Sequence, residues 1–137
     1  MTNIEGIDIE TLMDDVADIS SAPVIQFGQN KYAFFWTTHA KERASSQGIT
    51  GDEATKEILD DLNAISKAKK ADLAVNCGYF CIRDLKHGFF AVCHITQDNK
   101  RLRVVTYNRK HVLFPREGDL TYQITDKDII IRIWSHI

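Results

Sequence analysis

The stretch TTHAKERASSQGIT, residues 37–50, places a histidine and an arginine four positions apart. If this stretch is helical, His39, Glu42 and Arg43 share one face near the helix N-terminus, where free backbone amides favour anions. A neutral imidazole can take a proton from a hydroxyl group, and a guanidinium can hold a phosphate through two parallel hydrogen bonds. These residue types suit phosphoryl transfer without a metal ion, although a solvated, capped helix start has the same appearance.

Two strand-like segments carry further candidates. In FFAVCHIT, residues 89–96, the odd-numbered positions form an apolar face and His94 lies on the other one. In RLRVVTYNR, residues 101–109, Leu102 and Val104 are expected to face the core. The arginines and the tyrosine of this segment are then expected to point outward, namely Arg101, Arg103, Tyr107 and Arg109. Such a face offers phosphate contacts and a ring on which a base can stack, whereas packing across an exposed sheet is the plain alternative.

Charge is distributed unevenly along the chain, although the net charge is only −2. Residues 1–20 contain six acidic residues and no lysine or arginine, whereas residues 100–116 contain six basic residues and no acidic one. The basic segment suits contact with a polyanion, and two solvated faces of opposite charge are the alternative. The candidate nucleic-acid contacts in this segment are Arg101, Arg103, Lys110, His111 and Arg116.

Motifs for metal and cofactor binding are missing from the sequence. It has no H-E-x-x-H motif, Walker loop or dinucleotide glycine motif, and Cys77 and Cys81 would lie too far apart on a strand to share an ion. We therefore expect neither a metal nor a cofactor. Three cysteines without a C-x-x-C pair indicate reduced thiols and a cytoplasmic setting. The longest apolar runs fall well short of the ~20 residues that a membrane span needs, and the acidic N-terminus is unlike a secretory signal.

The periodicity of apolar residues predicts one domain in which helices pack on a sheet. A helix is expected over residues 9–20 and a β-hairpin over 24–36. Thr38 and Gly48 are expected to bound a short helix, and the capping box from Thr50 to Glu53 begins a longer one. Strands are then expected over four segments, namely 74–85, 89–96, 101–109 and 128–134. The predicted fold is α+β, with N-terminal helices on an antiparallel sheet of four to five strands.

The pattern T-H-A-x-x-R-x-x-x-x-G-I-T, followed by an amphipathic helix and strands ending in VVTYNR, resembles a known family. It is similar to the small phage and bacterial HAxxR domains of the RelE-like ribonuclease superfamily (barnase, EndoU, colicin and RelE folds), and to RegB-type phage endoribonucleases. The resemblance covers about residues 24–110; an acidic helical segment, 1–23, and a C-terminal loop and strand, 111–137, lie outside it. It implies a RelE-like fold that cuts RNA without a metal, with His39, Arg43, Tyr107 and Arg109 at the motif positions.

Two functions are compatible with these residues. The first is a metal-independent endoribonuclease of the toxin or phage mRNA-processing type, which acts on mRNA or tRNA by 2′-hydroxyl attack and leaves a 2′,3′-cyclic phosphate. In this hypothesis His39 is the general base, Arg43 and Arg109 stabilise charge on the phosphorane, and His94 or Tyr107 protonates the leaving oxygen. The second is a non-catalytic RelE-like binding module, such as a phage inhibitor that binds a host protein or nucleic acid. Its acidic N-terminal helix would contact the protein partner.

Overall fold

A computed structural model describes residues 3–4, 7–8, 23–109, 115–116 and 118–133. Two short strands, β1 (Asn3–Ile4) and β2 (Ile7–Asp8), pair in antiparallel orientation near the N-terminus. The helix predicted over residues 9–20 lies outside the described residues. So do two of the predicted nucleic-acid contacts, Lys110 and His111.

A mixed sheet dominates the described part of the chain and curls into a half-barrel. Its seven strands are β3 (Val24–Phe27), β4 (Asn30–Trp36), β5 (Tyr79–Asp84), β6 (Phe89–Thr96), β7 (Arg101–Asn108), β8 (Leu120–Ile124) and β9 (Ile129–Ile133). The strand order is β3-β4-β7-β6-β5-β8-β9. The pairs β4·β7 and β5·β8 are parallel, and the remaining pairs are antiparallel.

The predicted fold, N-terminal helices on an antiparallel RelE-like sheet of four to five strands, is therefore wrong. The helices that the structure describes lie between β4 and β5 in the chain, and β4, which precedes them, pairs with β7 in parallel. Likewise β8 joins β5 on the side away from β6. Side-chain alternation identifies a strand but does not specify its neighbours, so the sequence pattern could not reveal these two pairings.

Three helices follow β4, namely α1 (Thr38–Ser46), α2 (Gly51–Lys67) and α3 (Asp72–Cys77). The predicted start of α2 is confirmed, since the hydroxyl of Thr50 accepts from the Glu53 amide at 3.1 Å. The predicted end of α1 at Gly48 is also confirmed, because this glycine adopts a left-handed φ of +81°. The cap of α1 is Thr37 and not Thr38, since the Thr37 hydroxyl accepts from the Ala40 amide.

Residues 72–77 form α3, although the sequence pattern predicted the beginning of a strand there. A short apolar run has no clear period, so it fits a buried helical turn as well as a strand. Here Ala74 is the buried residue of the helix, and Gly78, with φ +82°, ends it directly before β5. Among the helices that the structure describes, none has the length and apolar character required to span a membrane.

The core lies between the helices and one face of the sheet, which we call the helix-side face. The apolar stripe predicted for α2 is confirmed, because Ala54, Ile58, Leu62 and Ile65 are all buried. They pack with strand residues of the helix-side face, among them Phe34, Phe80, Ala91 and Leu102. The predicted core face of β6 is confirmed as well, since Phe89, Ala91, Cys93 and Ile95 are buried in this cluster.

Candidate functional site

A bulge in β7 sorts the predicted site residues onto two faces of the sheet. Val92 pairs with Thr106 and Cys93 pairs with Val104, so Val105 has no partner residue on β6. The extra residue inverts the alternation of side chains beyond it. Tyr107 consequently joins Leu102 and Val104 in the core, where its side chain is fully buried. The prediction that Tyr107 points outward with Arg101 and Arg103 is therefore wrong.

Tyr107 and Arg109 lie together on the helix-side face, next to α2. The Tyr107 ring packs between Phe89 and Trp36, at centroid distances of 5.6 and 5.4 Å. Its hydroxyl accepts from Arg109 Nη1 at 3.0 Å, and the same nitrogen forms an ion pair with Glu57 Oε1 at 2.7 Å. The side chain of Gln47, at the end of α1, accepts from the Arg109 amide. These contacts fix the arginine in one position.

The charge and protonation of this pair make it a poor phosphate site. The hydrogen bond with Glu57 raises the pKa of Arg109 above its usual range, because the carboxylate stabilises the charged form. Burial raises the pKa of Tyr107, so the phenol stays protonated at neutral pH. A buried phenol and an arginine that is already neutralised by a carboxylate hold each other in place and attract little further negative charge.

In the described part of the chain, the other predicted catalytic residues make no hydrogen bond or ion pair with Tyr107 or Arg109. His39 and Arg43 are exposed on α1, on the side away from the buried Ala40 and Ala44. Among the described residues, no hydrogen bond or ion pair joins His39 or Arg43 to Tyr107 or Arg109. His94 lies on the opposite face of the sheet from Tyr107, because it alternates with core residues of β6. Of the five predicted catalytic residues, the structure thus joins Tyr107 and Arg109 by a hydrogen bond and places His94 on the other face of the sheet.

The face opposite the helices carries arginines on three strands, and we call it the arginine face. It comprises Arg83 on β5, Arg101 and Arg103 on β7, and Arg132 on β9, together with Tyr79 and His94. The register places His94 opposite both Tyr79 and Arg103. Within the described strands, this face carries no aspartate or glutamate.

Packing contacts fix the arginines of this face. Arg101 lies over the Phe35 ring, with 5.1 Å between the guanidinium carbon and the ring centroid. Arg103 donates to the Thr96 hydroxyl at 3.1 Å, and Arg83 donates to Gln123 Oε1 at 2.8 Å. Burial, with a smaller contribution from nearby Arg132, lowers the pKa of Arg83. The arginines are therefore held in position on one face, where Arg132 is exposed, Arg83 and Arg101 are half-buried and Arg103 is buried.

An aromatic pair lies beside these arginines. The rings of Tyr79 and His94 stack with 5.7 Å between centroids, and Tyr79 is 39% exposed. Burial and the charge of Arg103 lower the pKa of His94, which keeps its imidazole neutral at pH 7. The Tyr79 hydroxyl donates to Asp119, whose other oxygen accepts from the amide of Arg116. The predicted contact Arg116 is exposed and thus lies at the edge of this face.

A second cluster, absent from the sequence predictions, contains two buried carboxyl groups. Asp61 of α2 is 1% exposed and Asp84, the last residue of β5, is fully buried. The following turn returns His87 to Asp84, which accepts from the His87 amide at 2.6 Å and lies 2.9 Å from its Nδ1. A signal for the cluster was present, since Asp61 falls among Ile58, Leu62 and Ile65 of the apolar stripe.

The two carboxyl groups differ in protonation. Burial, followed by the neighbouring Asp84, raises the pKa of Asp61 to about 9. Burial alone would raise the pKa of Asp84 too, but hydrogen bonds with Asp61 and His87 hold it below its usual range. The pair therefore shares one proton and carries about one negative charge.

His87 also lines an open cavity of about 340 Å³, together with Glu53, Lys56, Glu57 and Asp60.

Comparison of the chain with protein families, curated proteins and solved structures finds no match. The resemblance to RelE-like ribonucleases accordingly stays a prediction.

Proposed function

We propose that this protein binds single-stranded RNA on the arginine face. The observation that carries the proposal is the placement of four arginines on one sheet face, three of them at least partly exposed, beside a stacked pair of rings. The described strands add no acidic side chain to this face, and the nearby carboxylate of Asp119 accepts from the Tyr79 hydroxyl and the Arg116 amide. Arginine is the cation best suited to phosphate, because its planar donors match the phosphate oxygens. A polyanion is the ligand that complements such a surface.

A single strand of RNA fits this face better than a double-stranded nucleic acid does. Bases that are not paired can stack on exposed rings, and Tyr79 presents such a ring at the surface of the sheet. His94 behind it is neutral and stacked, so it supports the tyrosine and adds no further positive charge. A phosphate next to a stacked base would meet Arg132, which is exposed, and Arg83, which is half-buried near it.

The acidic cavity on the helix side is a poor place for the same ligand. Glu53, Glu57 and Asp60 line it, and only Lys56 and the ion-paired Arg109 oppose their charge there. A phosphate at this cavity would meet net repulsion.

RNA cleavage by His39 and Arg43 on α1 remains a separate prediction. The three cysteines are all free, which agrees with the proposed cytoplasmic setting.

Binding is tested by fluorescence anisotropy of the full chain with a labelled single-stranded RNA of mixed sequence, in EDTA, at several salt concentrations. Arg132→Ala should weaken binding and reduce the magnitude of the salt slope by about 1, because one phosphate contact is lost. Tyr79→Ala should weaken it about 5- to 150-fold, which corresponds to ~1–3 kcal/mol for one stacked base.

Arg43→Ala is the matched control, since it removes an exposed arginine from α1 on the other side of the sheet. We expect its affinity and salt slope to equal those of the parent chain. Equal affinities of all three variants, or no binding even at low salt, would contradict the proposal.

The same samples test cleavage, when the RNA ends are mapped after incubation. Cyclic phosphate ends that disappear in His39→Ala would support the endoribonuclease. Bound and intact RNA would support a binding module without catalysis. A loss of binding in Arg43→Ala alone would move the RNA site to α1.

A further inference from the structure

We propose that Asp61, Asp84 and His87 form a binding site for a divalent transition-metal ion of the Zn²⁺ type. One potential ligand atom from each residue lies within 4.8 Å of the other two. The ligands come from α2, the end of β5 and the turn after it, so an ion would connect the longest helix to the sheet. This site is on the helix side and does not depend on the proposed RNA site.

An unpartnered oxygen points to a missing positive group in this cluster. Asp61 Oδ2 is buried and has no hydrogen-bond partner, although Asp61 is only 1% exposed. A buried polar atom without a partner is costly, and a buried carboxylate is costlier still. Among the described residues, no lysine or arginine forms an ion pair with Asp61 or Asp84. A shared proton, the neighbouring His87 or a bound cation can compensate the two carboxyl groups, and the unpartnered oxygen of Asp61 favours the cation.

The donor set favours one class of ion. Two carboxylate oxygens and one imidazole nitrogen suit Zn²⁺ or Mn²⁺, whereas Mg²⁺ and Ca²⁺ prefer oxygen ligands alone. Asp84 Oδ2 and His87 Nδ1 are 2.9 Å apart, close enough to bind one ion side by side. Asp61 belongs to the same 4.8 Å cluster and carries the unpartnered oxygen, so it is the candidate third ligand.

The surroundings provide a path by which a cation could enter. His87 lines the open cavity of about 340 Å³, so the cluster borders solvent at this residue. The carboxylates that line the cavity outnumber its cations, because Glu57 is paired with Arg109 and only Lys56 of the lining residues opposes Glu53 and Asp60. The remaining negative charge attracts cations. An ion bound by three protein groups would keep a position open towards this cavity for water.

The test uses the full chain after treatment with a chelator. Zn²⁺ is titrated by calorimetry at neutral pH, and Tm is recorded with and without one equivalent of Zn²⁺. The parent chain should bind one ion and melt at a higher temperature with it. Asp61→Asn keeps a hydrogen bond with Asp84 but removes a ligand, so its affinity should fall more than tenfold and its Tm should not respond.

Two control variants address other sources of binding. Asp60→Asn removes one negative charge from the cavity and leaves the three ligands intact, so its affinity should stay within about threefold of the parent value. Cys77→Ser removes the exposed thiol, the cysteine most able to hold Zn²⁺ elsewhere, and should bind as the parent does. The absorption spectrum of Co²⁺ bound in place of Zn²⁺ should show d–d bands without a thiolate-to-metal charge-transfer band.

Two results would overturn the proposal: no binding by the parent chain, or equal affinities of Asp61→Asn and Asp60→Asn. If Asp61→Asn fails to fold, the parent chain decides. One bound Co²⁺ without thiolate absorption would support the site, and a thiolate absorption or no bound ion would contradict it. His87→Gln then supplies the second test, since its ring is 28% exposed and outside the apolar core.

Discussion

His94 lies half-buried on the arginine face, between the ring of Tyr79 and the guanidinium of Arg103. Burial and the charge of Arg103 lower its pKa below the ordinary value of 6.5. In the unfolded chain neither effect acts on this side chain. As the pH falls below 6.5, the unfolded state thus binds a proton before the folded state does, and the folded state loses stability.

We predict that His94→Gln removes this part of the pH dependence. The free energy of unfolding of the parent chain, relative to that of the variant, should be constant above pH 7 and should decrease from pH 6.5 towards pH 5. Urea titrations at each pH measure it, and the comparison with the variant cancels the other titrating groups. His39→Gln, at an exposed position on α1, is the control and should retain the parental profile. A difference that increases on acidification would contradict the assigned direction of the pKa shift.

Single residues of the candidate site differ in how far the sequence reveals them. His94 was predictable on its face of β6, because strict alternation with Cys93 and Ile95 holds there. Tyr107 was not, because a bulge at Val105 reverses the alternation and no residue type marks a bulge of this kind. Asp61 could be suspected as a special residue, because it is a charged residue in an apolar stripe. Its contact with Asp84 could not be predicted, because tertiary packing determines it.

At the scale of elements, the start of α1 depends on one hydroxyl. Thr37 is fully buried, and its hydroxyl accepts from the Ala40 amide and donates to the carbonyl of Val105. Thr38 is the first helical residue and is exposed. The Thr37 hydroxyl thus joins the start of α1 to the bulge of β7, whereas the Thr38 hydroxyl has no such role.

We predict that Thr37→Ala lowers the free energy of unfolding by about 1–2 kcal/mol, the cost of losing an N-cap together with a buried hydrogen bond. Thr38→Ala should change it by less than ~0.5 kcal/mol, because alanine is a good helix former at an exposed position. Chemical denaturation of both variants gives the comparison. If the larger loss belongs to Thr38→Ala, the helix begins one residue later than the structure indicates.

Local signals predict helices better than they predict the sheet. The capping box at Thr50 and the left-handed Gly48 mark their helix ends through interactions within a few residues, so the sequence reveals both. The segment over residues 72–77 was missed because six residues are too few to show a period. The pairings β4·β7 and β5·β8 join segments that are distant in the chain, and no local pattern encodes them.

At the scale of the whole molecule, the strand order creates a protected centre and exposed edges. Strands β7, β6 and β5 each have a neighbour on both sides, and their helix-side residues are buried by the helices. Strand β9 is an edge, and two of its apolar side chains, Ile130 and Ile133, are 43% and 60% exposed. Amides exchange through local opening where contacts are few and through global unfolding where they are dense.

We therefore predict that the amides of β6 and β7 exchange with deuterium only on global unfolding, and that those of β9 exchange much faster. Leu102→Ala, at a fully buried position of β7, should lower the free energy of unfolding by about 2–5 kcal/mol and accelerate exchange throughout the sheet. Ile130→Ala should cost less than ~1 kcal/mol and accelerate exchange in β8 and β9 alone. Exchange followed by mass spectrometry separates the two patterns. Slow exchange in β9, or fast exchange in β7, would contradict the described strand order, in which β9 is an edge and β7 lies between β4 and β6.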